Sequence, residues 1–142
     1  MEYCVTPLPG PSMGSDEMPS EKKILVADDD PNVLFLITAL LSKSRYQVVQ
    51  AVDGTQALEL ARSLHPHLMV LDVMMPGIDG FEVCRTVKSE AATSGIKVIM
   101  VTAKTSGKDI ETGLAAGADH YITKPFRMTE LSSMIHVLLG EA

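Results

Sequence analysis

The sequence predicts an α/β fold, a doubly wound five-stranded parallel sheet with five helices. Three observations carry this. Five short strand-like stretches recur along the chain: Ile24–Ala27, Val48–Ala51, Leu68–Leu71, Val98–Val101 and His120–Thr123. Helical patterns lie between them, and from Lys23 onward the two alternate strictly. Nearly continuous apolar strands joined by helices imply parallel neighbours buried on both faces and joined by right-handed crossovers.

The first helix carries Val33, Leu36, Ile37, Leu40 and Leu41 at i, i+3, i+4, i+7, i+8, and the last repeats this with Leu131, Met134, Ile135, Leu138 and Leu139. Asp53-Gly54 precedes the Ala57, Leu58, Ala61, Leu64 face, and Asp79-Gly80 precedes Phe81, Cys84 and Val87. The segment SGKDIETGLAAGAD gives a weaker helix, loosened by Gly107, Gly113 and Gly117.

Length and composition set the outer limits. The 142 residues fit one domain with a real core, and 46% hydrophobic with 21% charged residues is a globular profile. A net charge of −6 without a Lys/Arg cluster argues against direct nucleic-acid binding. Cys4 and Cys84 lie far apart and suit a reducing cytosol, so a cytoplasmic location is expected. No apolar run reaches membrane-spanning length and no signal pattern opens the chain. Residues 1–20 hold four of the eight prolines with Gly and Ser between them, so they read as a flexible tail before a domain at 21–142.

A doubly wound sheet places its site outside the carboxyl ends of the strands. Those ends carry Asp28 and Asp29, then Asp72, Thr102 and Lys124. Converging carboxylates repel unless a hard divalent cation relieves them, and Mg²⁺ held by one or two carboxylates keeps positions open for a phosphoryl oxygen. Lys124 supplies a point charge and Thr102 a hydroxyl, suited to the remaining oxygens of a transferring phosphoryl group. Asp72 ends the most hydrophobic strand, LMVLD, and is the candidate nucleophile of an acyl phosphate. Asp30 is left for solvent or for capping the helix that Pro31 opens.

From about Lys22 to Leu139 the chain resembles the receiver domain of two-component response regulators. The resemblance rests on VADDDP at the first strand end, LDVMMPGIDGFEVCR around the third, VTAK at the fourth and YITKPF at the fifth. Each is weak alone; all four in order, on the expected strand ends, are specific. The resemblance implies the flavodoxin-like strand order 2-1-3-4-5. It makes Asp72 the phosphoacceptor and Asp29 a direct Mg²⁺ ligand. Asp28 would act through water, the Met74 carbonyl would complete the protein ligands, and Lys124-Pro125 would be cis. It further implies a histidine kinase or histidine phosphotransfer protein as donor. The expected product is one phosphoryl group per chain, with no enzymatic turnover of a separate substrate. A stand-alone receiver of this kind would act through a further protein partner that binds its altered face.

Competing readings fail on particular residues. A P-loop nucleotidase lacks G-x-x-x-x-G-K-[ST]. A phosphatase of the haloacid dehalogenase type needs an acid two residues after its nucleophile, where this chain has Met74. A structural docking module with a dead site stays open as an alternative, although none of the five key residues has been replaced. Tyr121 has two readings, a packing residue on the last strand or the family's switch aromatic that turns inward when Thr102 engages phosphate. His65, His67, His120 and His136 have no ligand spacing and receive no role.

Two expectations concern surfaces. Members that form charged dimers across the fourth helix, fifth strand and fifth helix use acid–base pairs, but Ala115, Met134 and His136 stand at those positions, so a monomer is expected. In the first helix the predicted inward stripe leaves Leu34, Phe35 and Thr38 outside, so Leu34 and Phe35 are expected as apolar anchors for the phosphodonor.

Overall fold

The computed structural model describes residues 22–44, 46–103 and 106–140. The expected tail at 1–20 lies outside the described residues. The elements run β1 (Lys23–Ala27), α1 (Pro31–Lys43), β2 (Gln47–Ala51), α2 (Gly54–Leu64), β3 (Leu68–Leu71), α3 (Gly80–Ser89), β4 (Lys97–Thr102), α4 (Gly107–Ala115), β5 (His120–Thr123) and α5 (Met128–Leu138). All strand pairs are parallel and the order is β2-β1-β3-β4-β5, as the resemblance implied. The chain steps from β1 to one side and then returns past it, which opens a crevice between the carboxyl ends of β1 and β3.

Alternation along the strands builds two cores. Leu25, Ala27, Met69, Leu71, Val98 and Met100 face α2 and α3, whose Ala57, Leu58, Ala61, Val83, Cys84 and Val87 are buried against them. Ile24, Val26, Leu68, Val70, Ile99 and Val101 point the other way, onto Ile37 and Leu41 of α1 and Leu131 and Ile135 of α5. Successive side chains on a strand point to opposite faces, so a strand buried on both sides must be apolar throughout.

Side-chain caps fix the starts of α1 to α4, whereas α5 begins after Arg127 without one. Asp30 accepts the Asn32 N–H at 2.9 Å with Pro31 in the first turn, which is the capping role expected of the third carboxylate. Asp53 accepts the Gln56 N–H at 2.7 Å while the Gln56 side chain accepts the Val52 N–H at 2.8 Å. Asp79 accepts the Glu82 N–H at 2.9 Å. In α4, Ser106 accepts the Asp109 N–H at 3.0 Å.

One expectation for α1 is overturned. Leu34 does not face solvent; it is buried with Ile37 and Leu41, while Leu36, expected inside, is 52% exposed. The buried arc is turned by roughly 60° from the predicted one at about 100° per residue. An almost uncharged helix offers two overlapping apolar stripes, and periodicity alone cannot choose the phase. Packing against the α5 side of the sheet chooses it: Val33 and Leu40 become flanks against the second core. Phe35 is exposed as expected, at 70%. Thr38 is half-buried and accepts a hydrogen bond from the Gln50 side chain at 2.7 Å.

Candidate phosphoacceptor and metal site

The sheet register assembles the site. Ala27 pairs with Leu71, so the residues that follow, Asp28 and Asp72, leave the sheet side by side. Backbone bonds fix both: Asp28 N–H donates to the Ala51 carbonyl at 3.1 Å and Asp72 N–H to the Ala27 carbonyl at 3.0 Å. On the other side Thr102 pairs with Thr123, and the next N–H, that of Lys124, donates to the Thr102 carbonyl at 2.8 Å. The Lys124–Pro125 bond is cis.

Carboxylate oxygens of Asp28, Asp29 and Asp72 lie within 4.8 Å of one another. Asp28 and Asp72 are 3% and 6% exposed, and Asp29 is open to solvent. Lys124 Nζ donates to Asp28 Oδ2 at 2.9 Å and to Asp72 Oδ2 at 3.2 Å. Burial pushes the Asp28 carboxyl above the usual carboxylate range, with the neighbouring Asp72 charge adding to it. The Asp30 N–H, 2.9 Å from Asp28 Oδ1, and Lys124 only partly offset this. For Lys124 burial disfavours the charge, but its hydrogen bonds and the two carboxylates outweigh it and hold the amine above its ordinary value.

Met74 follows Asp72 by two residues, and its N–H donates to Asp72 Oδ1 at 3.2 Å while its side chain is exposed. Thr102 is fully buried at the end of β4. Tyr121, on β5, is partly buried against the α2–α3 core. So Asp28, Asp29, Asp72 and Lys124 converge directly. Thr102, Met74 and Tyr121 lie on the same strand ends or the loops that leave them. Lys104, two residues beyond Thr102 and expected from the resemblance to line the path of an attacking water, lies outside the described residues.

Gly80, in the sequence only part of a helix start, shapes the site. Its N–H donates to the Val73 carbonyl at 2.9 Å, and a Cβ there would lie 2.8 Å from Val73 Cα. Only a glycine lets α3 begin so close beneath the backbone that carries Asp72. The DG dipeptide was the signal, but it equally marks an ordinary helix start.

Hard oxygen donors at this spacing fit a divalent cation of the Mg²⁺ class. No helix among the described residues is long and apolar enough to cross a membrane.

Comparison with known proteins agrees with this geometry. Residues 24–136 match the model of the response regulator receiver domain. The chain is 40% identical over 118 residues to the DNA-binding response regulator MtrA of Mycolicibacterium smegmatis, covering 83% of this chain and 50% of that protein. It is 45% identical over 120 residues to the probable transcriptional regulator ycf27 of Cyanophora paradoxa, covering 84% and 49%. The chain thus spans about half the length of these curated relatives. Among solved structures, the receiver domain of a Pseudomonas aeruginosa sensor histidine kinase superposes with a TM-score of 0.79 at 28% identity, covering 86% of this chain and 100% of that one. That domain has a magnesium ion coordinated in its active-site cleft. The beryllofluoride-activated DrrB receiver domain gives 0.78 at 32% identity, covering 86% and 100%. The chain belongs to the response regulator receiver domain family, which serves phosphorelay signalling in two-component systems.

Proposed function

We propose that Asp72 accepts a phosphoryl group from a phosphohistidine of a histidine kinase or histidine phosphotransfer protein. The observation that carries this is the convergence of three carboxylates, two of them bound by Lys124, at the carboxyl edge of the sheet. An Asp72 oxygen attacks phosphorus, the P–N bond to the donor imidazole breaks, and an acyl phosphate forms. Lys124 already spans Asp28 and Asp72, so its ammonium is placed to meet the incoming phosphoryl oxygens, and Thr102 is the hydroxyl donor on the far side. Asp28, Asp29, Asp72 and the Met74 carbonyl are the residues that would hold Mg²⁺, which supplies charge neutralisation for the crowded oxygens.

The donor docks beside this mouth. A cleft of about 240 Å³ is lined by Val33 and Leu36 of α1 and by Lys124, Pro125, Phe126 and Met128. Leu36 in that lining and Phe35, its neighbour on α1, are both exposed. Phe35 keeps its proposed role as anchor, Leu36 takes the place first given to Leu34, and Leu34 is core. Phosphorylation then acts through Thr102 and Tyr121 on the α4 side of the domain, where a downstream protein binds. The chain takes up one phosphoryl group without turnover of a separate substrate, works in the cytoplasm and stays monomeric. Met134 favours the last point: it brings no charge to that face and is half-buried against the second core.

Intact mass after incubation with acetyl phosphate or phosphoramidate tests this reading. One phosphoryl group should appear only with Mg²⁺ and vanish in Asp72→Asn. A gain that persists in Asp72→Asn sinks the assignment.

A further inference from the structure

The first turn of α2 and the loop that leaves β3 are pressed together. Gly54 opens α2 and is buried, and no side chain fits there. A Cβ would run into the Ile78 carbonyl oxygen and lie 2.8 Å from the carbonyl carbon and 3.0 Å from Ile78 Cβ. The nearest obstacles are backbone, which cannot turn aside as the end of a side chain can. Gly77 lies over the same turn: the atom nearest its missing Cβ is Thr55 Oγ1, at 3.8 Å. The Asp53 cap accounts for the aspartate of the Asp53-Gly54 pair and not for the glycine.

The loop so held is the one that carries Met74. At its start the Val73 carbonyl accepts the N–H groups of Met75 at 3.1 Å and of Gly80 at 2.9 Å, and Met75 is buried in the first core. At its far end Ile78 rests on Gly54 and packs its side chain against that core. Between these two anchors the Met74 N–H donates to Asp72 Oδ1. The corner that leads into α2 is tied to the site from the other side as well, because the Ala51 carbonyl accepts the Asp28 N–H. One corner therefore touches both the strand end of Asp28 and the loop of Met74.

We propose that Gly54 is a positioning residue for the cation. By letting Ile78 settle directly on α2, it fixes how far the Met74 carbonyl stands from the carboxylates of Asp28, Asp29 and Asp72, and so the size of the site. The metal half of this inference rests on the reading of the Met74 carbonyl as a ligand; the seat of Ile78 on Gly54 does not. A side chain at position 54 forces the loop off the helix, and the Met74 carbonyl with it. Mg²⁺ demands near-ideal octahedral geometry at short distances, whereas Ca²⁺ accepts longer and less regular coordination. A displaced loop therefore penalises Mg²⁺ more than Ca²⁺, and Gly54 favours the smaller ion.

Two arms of one experiment separate those halves, each run on the natural chain, Gly54→Ala, Ile78→Ala and Ala61→Gly. Ile78→Ala loosens the same contact without a clash, and decides the matter if Gly54→Ala does not fold. Ala61→Gly weakens the middle of α2 away from the loop and reports plain destabilisation. In the first arm the chains are labelled with ¹⁵N-methionine and kept free of metal, and the Met74 amide is assigned by Met74→Leu. That resonance should move in Gly54→Ala and Ile78→Ala and hold in Ala61→Gly, although the urea midpoint of Ala61→Gly falls. An amide unmoved in both loop variants, or moved equally in Ala61→Gly, overturns the seat.

In the second arm Mg²⁺ and Ca²⁺ are titrated separately by calorimetry. Gly54→Ala should weaken Mg²⁺ by about tenfold or more. It should lower the preference for Mg²⁺ over Ca²⁺ by about threefold or more. Ile78→Ala should shift that preference the same way by less, and Ala61→Gly should leave it alone. Equal losses of the two ions overturn the effect on size. A displaced amide with Mg²⁺ affinity unchanged overturns Met74 as a ligand and the metal half with it, leaving the seat. A natural chain that binds no Mg²⁺ overturns the carboxylate reading itself, and the amide arm still decides the seat.

Discussion

Lys124 Nζ stands 2.9 Å from Asp28 Oδ2, nearer than the 3.2 Å that separates it from Asp72 Oδ2. One amine therefore serves two nearly buried carboxylates. Removing it leaves like charges side by side without water or cation. Lys124→Met should destabilise the chain by roughly 2–4 kcal/mol in chelator, near the low end for a broken buried pair because the lysine is partly exposed. Added Mg²⁺ should raise the melting temperature of the variant more than that of the natural chain. Equal Mg²⁺ effects would mean the amine does not offset the carboxylate charge.

Asp29 and Asp30 are adjacent, both exposed, and do different things. Asp29 belongs to the three-carboxylate cluster, whereas Asp30 is the N-cap of α1. Asp29→Ala should weaken Mg²⁺ binding by tenfold or more in calorimetric titration, an effect on the order of 1.4 kcal/mol. Asp30→Ala should leave Mg²⁺ affinity nearly unchanged and cost about 1 kcal/mol of stability through the lost cap. The reverse pattern would reassign the metal ligand.

Three neighbours on α1 give the phase of that helix an experimental reading. Leu34→Ala should cost about 2–5 kcal/mol in urea denaturation, as a buried leucine does. Phe35→Ala with Leu36→Ala should alter stability little, yet slow transfer from a phosphohistidine protein with an effect of about 1–2 kcal/mol per anchor. Acetyl phosphate, which needs no docking face, should phosphorylate that double variant at the natural rate. Equal loss with both donors would place these residues in the core.

Met74 is 56% exposed beside the mouth, and its N–H is bound to Asp72 Oδ1. A thioether cannot orient an attacking water, and its bulk obstructs the approach. The phosphoryl group should therefore decay slowly. Met74→Asn combined with Lys104→Glu should speed decay, followed by intact mass after donor removal. An unchanged rate would refute the account.

Cys84 is fully buried, and that burial pushes its thiol up from 9.0 to about 11. A group that the fold keeps protonated favours the native state until the unfolded chain begins to ionise. Its contribution is thus intact below pH 9.0 and is lost as pH rises through about 11. The loss is on the order of 2 kcal/mol across that window. Urea titrations of the natural chain and Cys84→Ala should diverge in slope only above pH 9, the difference cancelling what Tyr121 and Lys124 contribute in the same range. Parallel slopes would show that the thiol ionises in place.

Strand-and-helix alternation, the carboxyl-edge location of the site and the identity of its acids follow from the order of residues alone. These were legible because strands buried on both faces must be apolar, so a charge at a strand end stands out, as Asp72 does after Leu68–Leu71. The cap at Asp30 was legible for the same local reason, since a cap depends on neighbours along the chain. Packing set what depends on neighbours across space. It chose Leu34 over Leu36 as core, because α1 is apolar on most sides and only its packing near α5 fixes the rotation. It joined Lys124 to Asp28, 96 residues apart, through strand register. And it turned Gly113, which in the sequence only weakened a helix, into the floor beneath Tyr121, a contact that no periodicity encodes.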